Sequence, residues 1–224
     1  MIKKSTLTFL RQLKKNNNKP WFDVHRADYE AARADFLNFV DEIIGRHSRL
    51  DPSIKNISGR DCIFRINRDV RFSKDKSPYK TNFGASINCR GRKAWDYAGY
   101  YFHLEPGASF AGGGIYMPPP QVLRQVRQEI DYNFTAFQKL LSNKKFKSFF
   151  GGLDRSAEFS LTRVPKGYEP GNPAAEYLKL KSYLAMTPVS DAELTSGRGV
   201  QKAVAAFAAL YPVVTFINEA VSQP

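Results

Sequence analysis

Apolar positions recur at helical spacing along the N-terminal part of the chain. Leu7, Leu10 and Leu13 mark a first helix, which Ser5 is placed to cap. NNNKP at 16–20 breaks it, and Pro20 suits the first turn of a second helix carrying Trp21, Phe22, Tyr29, Phe36, Phe39, Val40, Ile43 and Ile44. Pro52 ends that pattern. From Phe64 the period falls to two. Phe64 and Ile66 alternate with Arg65 and Asn67, and Phe83, Ala85 and Ile87 alternate with Gly84, Ser86 and Asn88. Tyr100, Phe102 and Leu104 alternate with Tyr101 and His103, and a fourth strand is expected through SFAGGGIYM at 109–117. Gaps between the last three are too short for parallel crossovers, which predicts an antiparallel meander.

Helical spacing then returns. PPPQVLRQVRQEI opens on proline and lines up Val122, Val126 and Ile130; FTAFQKLL and KKFKSFF continue the pattern. EFSLTRV (158–164) and SYLAMT (182–187) read as further strands, and SDAE (190–193) as a capping box. VQKAVAAFAALYPVVTFINEAV reads as a long apolar helix, kinked at Pro212. No repeat, low-complexity tract or linker divides the sequence. These elements predict an α+β fold, a single domain over residues 1–224. Its central, mostly antiparallel sheet of about five to six strands would be packed by N-terminal and C-terminal helices.

Composition narrows the functional classes. Of 224 residues 42% are hydrophobic and 13% aromatic, which supports a substantial core and argues against disorder. A net charge of +13 favours anionic partners: nucleic acid, nucleotides, phosphorylated metabolites or acidic surfaces. Two cysteines, Cys62 and Cys89, leave no disulfide framework and no multi-cysteine metal site. The basic N-terminus lacks an apolar run and a cleavage site, and no window approaches 18 uninterrupted apolar residues. A cytoplasmic protein without a membrane partner is expected.

Familiar catalytic patterns are missing. HExxH, GxSxG and GxxxxGK[ST] do not occur, and His25, His47 and His103 lie far apart, so no metal site is predicted and no cofactor can be named. SGRGVQK (196–202) follows a helix rather than a strand and reads as a helix stop and restart. The glycines at 112–114 suggest a bulge or a close backbone approach. Asp69, Asp75 and Glu105 are acid–base candidates, yet they form no diagnostic pair in sequence.

Charge is concentrated in one place. Residues 64–93 hold nine Lys or Arg against two Asp, +7 of the chain's +13. Within FRINRDVRFSKDKSPYKTNFG, Arg65, Arg68 and Arg71 recur every third residue, a spacing that fits neither a strand face nor a helical stripe. A turn-rich connection of about sixteen residues is expected after the FRI strand, and such loops are often functional. Arginine grips phosphate or carboxylate at two points. The opposite face of the predicted sheet carries Arg65, Asn67, Ser86, Asn88, Tyr101 and His103, with Gly112 and Gly114 giving room beside them. Set against this, the arginines could pair internally with Asp61, Asp69 and Asp75.

The segment resembles the signature of the domain of unknown function family 2461, a bacterial family of conserved hypothetical proteins. The matching residues are Phe64 to Ile66, Arg68-Asp69, Arg71 to Ser73, Asp75-Lys76 and Pro78 to Lys80. The resemblance extends to NNNKPWF, GYYFHLEPG (99–107) and GGGIYMPPPQVLRQVRQEI (112–130), departing at PPP (118–120), where a single proline is expected. It implies one α+β domain and carries no reaction, cofactor or catalytic residue. Three readings therefore stand. In the first, a phosphate-bearing ligand is held by Arg65, Arg68, Arg71, Lys76 and Lys80, with Tyr79, Tyr101 and His103 as a polar edge. The second is nucleic-acid binding. The third is a non-catalytic structural or interaction role with the cluster closed on itself.

Overall fold

The structure is a computed structural model and describes residues 1–222. Helix α1 (Lys4–Lys15) buries Leu7, Leu10 and Leu13 as their spacing predicts. Its start is not capped by Ser5. Instead the buried Asp35 carboxylate accepts from the Lys3 N–H at 2.8 Å and from the Thr6 hydroxyl at 2.6 Å, so tertiary packing satisfies the helix terminus. The stretch read as one helix from Pro20 is two, α2 (Lys19–Val24) and α3 (Arg26–His47), divided at His25. Asn18 caps α2 by accepting the Trp21 N–H at 3.0 Å. A short α4 (Gly59–Cys62) precedes the basic segment.

Three strands follow, β1 (Phe83–Ile87), β2 (Gly99–Leu104) and β3 (Phe110–Ile115). Helices α5 (Pro120–Tyr132), α6 (Phe134–Ser142), α7 (Lys144–Phe150) and α8 (Ala175–Leu178) lead to β4 (Tyr183–Pro188). Then come α9 (Asp191–Thr195) and α10 (Arg198–Ser222), the latter continuing through Pro212. The fold is α+β, with ten α-helices among the described residues and one open antiparallel sheet in the order β1-β2-β3-β4.

The sheet has four strands, not five or six, because two expected strands form only isolated bridges. Ile63 pairs with Ala85 and Asn67 with Tyr79. Four positions separate the first residues of these bridges and six separate their partners, so one continuous ladder cannot hold both. At 158–164 a single bridge joins Ser160 to Leu180; Pro165 follows with no N–H to extend it, and Gly167 turns at φ +97°.

The chain groups into two compact units. The first comprises residues 1–92, 101–111 and 188–205. Its core is aromatic: Phe36 and Phe39 of α3 meet Phe83 at 5.5 Å and Phe102 at 4.8 Å between ring centroids, respectively. Burial along β2 alternates, with Phe102 and Leu104 inside and Tyr101 and His103 on the other face. The capping box is present, Ser190 accepting the Glu193 N–H and Glu193 accepting the Ser190 N–H. The residues SGRGVQK do stop one helix and start the next, with Gly197 at φ +82°.

The second unit comprises 93–100, 112–187 and the chain from Ala206. Phe137 packs against Tyr177 and Phe216, and Tyr100 against Phe207, with centroids at 5.3, 5.2 and 4.9 Å. By length and composition α10 is apolar enough to cross a bilayer. In the structure its Phe207, Leu210, Val213 and Ile217 are buried in the core. The glycine run of β3 serves close approach: a Cβ on Gly114, at φ +119°, would sit 1.9 Å from the Tyr183 carbonyl oxygen. The room expected there for a ligand is filled by β4 backbone.

Two outcomes follow from this packing. Gly114→Ala lowers unfolding free energy by at least about 2 kcal/mol through backbone strain and lost β3–β4 pairing, read as a reduced urea midpoint. The second concerns Glu193, whose carboxyl is held down to about 2 from 4.5 by the Lys202 ammonium and the Ser190 N–H. A depressed folded-state pKa stabilises above the unfolded value and loses that contribution as pH falls from 4.5 through about 2. Glu193→Gln is therefore expected to lower the thermal midpoint at neutral pH and to match the parent below pH 2.

Candidate functional site

The basic segment folds back on itself. The Arg68 N–H donates to the Pro78 carbonyl at 2.9 Å, closing a loop. Its guanidinium donates to the Asp75 carboxylate and to the Ser77 carbonyl at 3.2 Å. Asp75 also accepts from the Ser77 hydroxyl at 2.6 Å and N–H at 2.9 Å. Those bonds, with Arg68, hold its carboxyl well below the usual carboxylate range. Arg71 grips Asp69 at two points, Nε at 3.0 Å and Nη2 at 2.7 Å, on an exposed surface. Lys76 donates to the Val70 carbonyl at 3.0 Å. Three of the predicted ligand-binding cations are thus engaged within their own loop.

Beside the loop lies a cleft of about 400 Å³. Its cations are Lys14, Arg68 and Lys80 and its carboxylate is Asp75; Asn17, Asn82, Ser77, Tyr79 and Thr81 supply amides and hydroxyls. Asn17 fastens the two sides. Its side-chain N–H donates to the Tyr79 carbonyl at 2.8 Å, and its oxygen accepts the Tyr79 N–H at 3.1 Å. Tyr79 is buried, its ring stacked on Phe22 at 3.9 Å. Lys80 is half-buried, with its ammonium 5.3 Å from the centre of the Phe64 ring. Burial, and then the positive charge of Arg65, lower its pKa. Among the described residues no carboxylate forms an ion pair with it.

A His–Glu pair borders this cleft. In β2, Tyr101 and His103 share a face, and Glu105 comes two residues later. His103 Nε2 donates to Glu105 Oε2 at 3.2 Å, and Lys14 donates to Oε1 at 3.1 Å. Burial works against the Glu105 carboxylate, but the bonds from His103 and Lys14 outweigh it and its pKa is lowered. The imidazole lies flat on Phe110, centroids 4.8 Å apart and planes at 7°. Its Nδ1 faces the Tyr101 hydroxyl and the Asn82 amide, each at 3.4 Å. Burial alone pushes the Tyr101 hydroxyl up to about 12. Tyr101 needs Gly84 beside it, since a Cβ there would lie 2.5 Å from its oxygen.

Of the predicted residues, the structure brings Arg68, Tyr79 and Lys80 to the cleft and places Tyr101 and His103 at its border. Arg65, Arg71 and Lys76 do not line it. Sequence reading missed Lys14, Asn17, Asn82 and the partnership of Glu105 with His103. The last was legible: His-x-Glu at strand period puts both side chains on one face. The polar face of β2 is met by Phe64, whose ring centroid is 6.5 Å from that of Tyr101.

The family described as conserved hypothetical protein (DUF2461) matches residues 5–216, and the chain belongs to it. No curated protein and no solved structure matches the chain.

The two arginines are separable by substitution. Arg71→Ala leaves the thermal midpoint unchanged, because exposed ion pairs contribute little. Arg68→Ala removes donors to Asp75 and Ser77 and speeds amide hydrogen exchange across residues 69–77. Parent-like protection in Arg68→Ala would show that these bonds do not hold the loop.

Proposed function

We propose that this member of the DUF2461 family binds a small, phosphate-bearing anion in the cleft. The observation that carries the reading is the imbalance of charge there. Arg68 is answered by Asp75 and Lys14 by Glu105, while no carboxylate among the described residues answers Lys80. A half-buried ammonium whose charged form is disfavoured by burial gains from any anion that replaces its lost water. Arg68 and Lys14 retain further N–H donors for the same ligand.

A second reading has its own observation. Arg71, Lys76 and much of Arg68 close the 68–77 loop internally, which supports a structural role for that part of the segment. The two readings divide the segment between them: the loop stiffens one wall, and Lys80 carries the unmatched charge.

Calorimetric titration with inorganic phosphate, pyrophosphate and a nucleoside monophosphate tests the proposal. Lys80→Met keeps the aliphatic stem over Phe64 and removes the charge, and is expected to weaken binding about tenfold, roughly 1.4 kcal/mol. Lys14→Met, at an exposed ammonium, costs less. Affinity for the parent falls as pH rises through the lowered pKa of Lys80, earlier than for an ordinary lysine. Absence of saturable binding, or binding indifferent to Lys80→Met, overturns the reading. Tight oligonucleotide binding that collapses with salt and ignores Lys80 would transfer it to nucleic acid.

A further inference from the structure

We propose that the cleft hydrolyses phosphate esters, with His103 as general base and Glu105 as the residue that positions it. This rests on the reading of the cleft as a phosphate site and adds a proton acceptor at its border.

The geometry sets His103 apart from His25, whose Nδ1 lies 2.9 Å from a carbonyl of its neighbouring helix turn and whose ring stacks on Trp21 at 4.0 Å. His103 instead has a carboxylate on one nitrogen and a cleft residue at the other. Glu105 Oε2 can only accept, so the neutral ring carries its proton on Nε2 and its lone pair on Nδ1. The two neighbours of Nδ1, at 3.4 Å each, stand at the outer edge of hydrogen bonding. The proposal places a water at that lone pair, in a shorter bond than either neighbour makes. Stacking on Phe110 fixes the plane of the ring, and the Glu105 bond fixes its rotation. The pair touches the cleft at two places, Nδ1 at Asn82 and Glu105 at Lys14, and both of those residues line it.

The step balances as follows. A water at Nδ1 gives one proton to the imidazole while its oxygen bonds to phosphorus. The bond from phosphorus to the ester oxygen breaks, and its electron pair leaves with the alkoxide. Solvent protonates the alkoxide, and the imidazolium returns its proton to solvent, so one water and one ester yield phosphate and an alcohol. Glu105 stabilises the imidazolium, and Lys80 and Arg68 offset charge on the phosphoryl oxygens. The groups facing His103 are Tyr101 and Glu105 beside it in the chain, Asn82 just before β1, Phe110 from β3, and Lys14 of α1 through Glu105. Tyr101 stays protonated through neutral pH and acts as a donor, not as a rival base.

The test measures steady-state hydrolysis of p-nitrophenyl phosphate by the full chain, with inorganic phosphate binding followed in parallel. The parent is expected to turn over. His103→Gln lowers kcat by about 10²–10⁴-fold while phosphate affinity is retained, which also shows that the variant is folded. Glu105→Gln keeps an acceptor for Nε2 but removes the charge beside the imidazolium, so kcat falls while KM and phosphate affinity hold, a split that a purely structural role would not produce. Phosphate binding without turnover, turnover unchanged in His103→Gln, or an unchanged kcat in Glu105→Gln overturns the catalytic assignment and leaves the binding site standing. Loss of both binding and turnover in the parent removes both.

Discussion

Two hydrogen bonds between the Asn17 side chain and the backbone of Tyr79 set the geometry on which the candidate site depends. They join residues 62 positions apart, the turn after α1 and the far end of the basic segment. The amide meets the backbone as a paired strand would, donating and accepting at one residue, and so satisfies the N–H and C=O of Tyr79 where no ladder continues. Behind it the Tyr79 ring lies on Phe22, so the clamp is backed by the aromatic core. Lys14, one turn earlier in α1, and Lys80, one residue beyond Tyr79, both line the resulting cleft. The cleft is the space these elements leave.

Electrostatics within that frame divides a segment that looks uniform in sequence. Arg71 and Asp69 are exposed and two residues apart, a pairing that water and salt largely screen. Arg68 is less exposed, reaches Asp75 and Ser77 together, and contributes more to the loop's shape than to its net charge. Lys80 is the contrary case. It is held partly out of water over an aromatic ring, with Arg65 adding like charge and no carboxylate among the described residues answering it. Charge density in sequence therefore overstates the unmatched charge of the arginines and understates that of one lysine.

Much of the fold was legible because periodicity is local. The alternation through Tyr100 to Leu104 gave β2 and its two faces, and SDAE gave the capping box, since both follow from backbone geometry over a few residues. The expected strands at 64–66 and 158–164 failed for a reason alternation cannot show: a strand needs a partner in register, and the bridge spacing beside Tyr79 denies it one. Ser5 was a sound local cap displaced by a tertiary one, Asp35. At the site the same division holds. His103 and Glu105 are two residues apart and were readable as one face of a strand. Lys14, Asn17 and Asn82 were not, because nothing local tells an amide or lysine that it will meet a segment so far along the chain.

Cations already paired still matter to a ligand, and this separates charge from direction. Asp75 and the Ser77 carbonyl both take Arg68 Nη1, and Glu105 takes one of the three donors of Lys14. What remains on each is oriented, because its partner fixes the side chain. An anion bound as proposed would find donors whose positions are set in advance, with the entropy of ordering them lost on folding instead of on binding. In the proposed reading Lys80 adds the unmatched charge that would draw the anion in. Lys14 does one thing more: a single ammonium touches both the cleft and Glu105, so in the proposed site an anion drawing on Lys14 would loosen its hold on that carboxylate and leave more of its charge for His103.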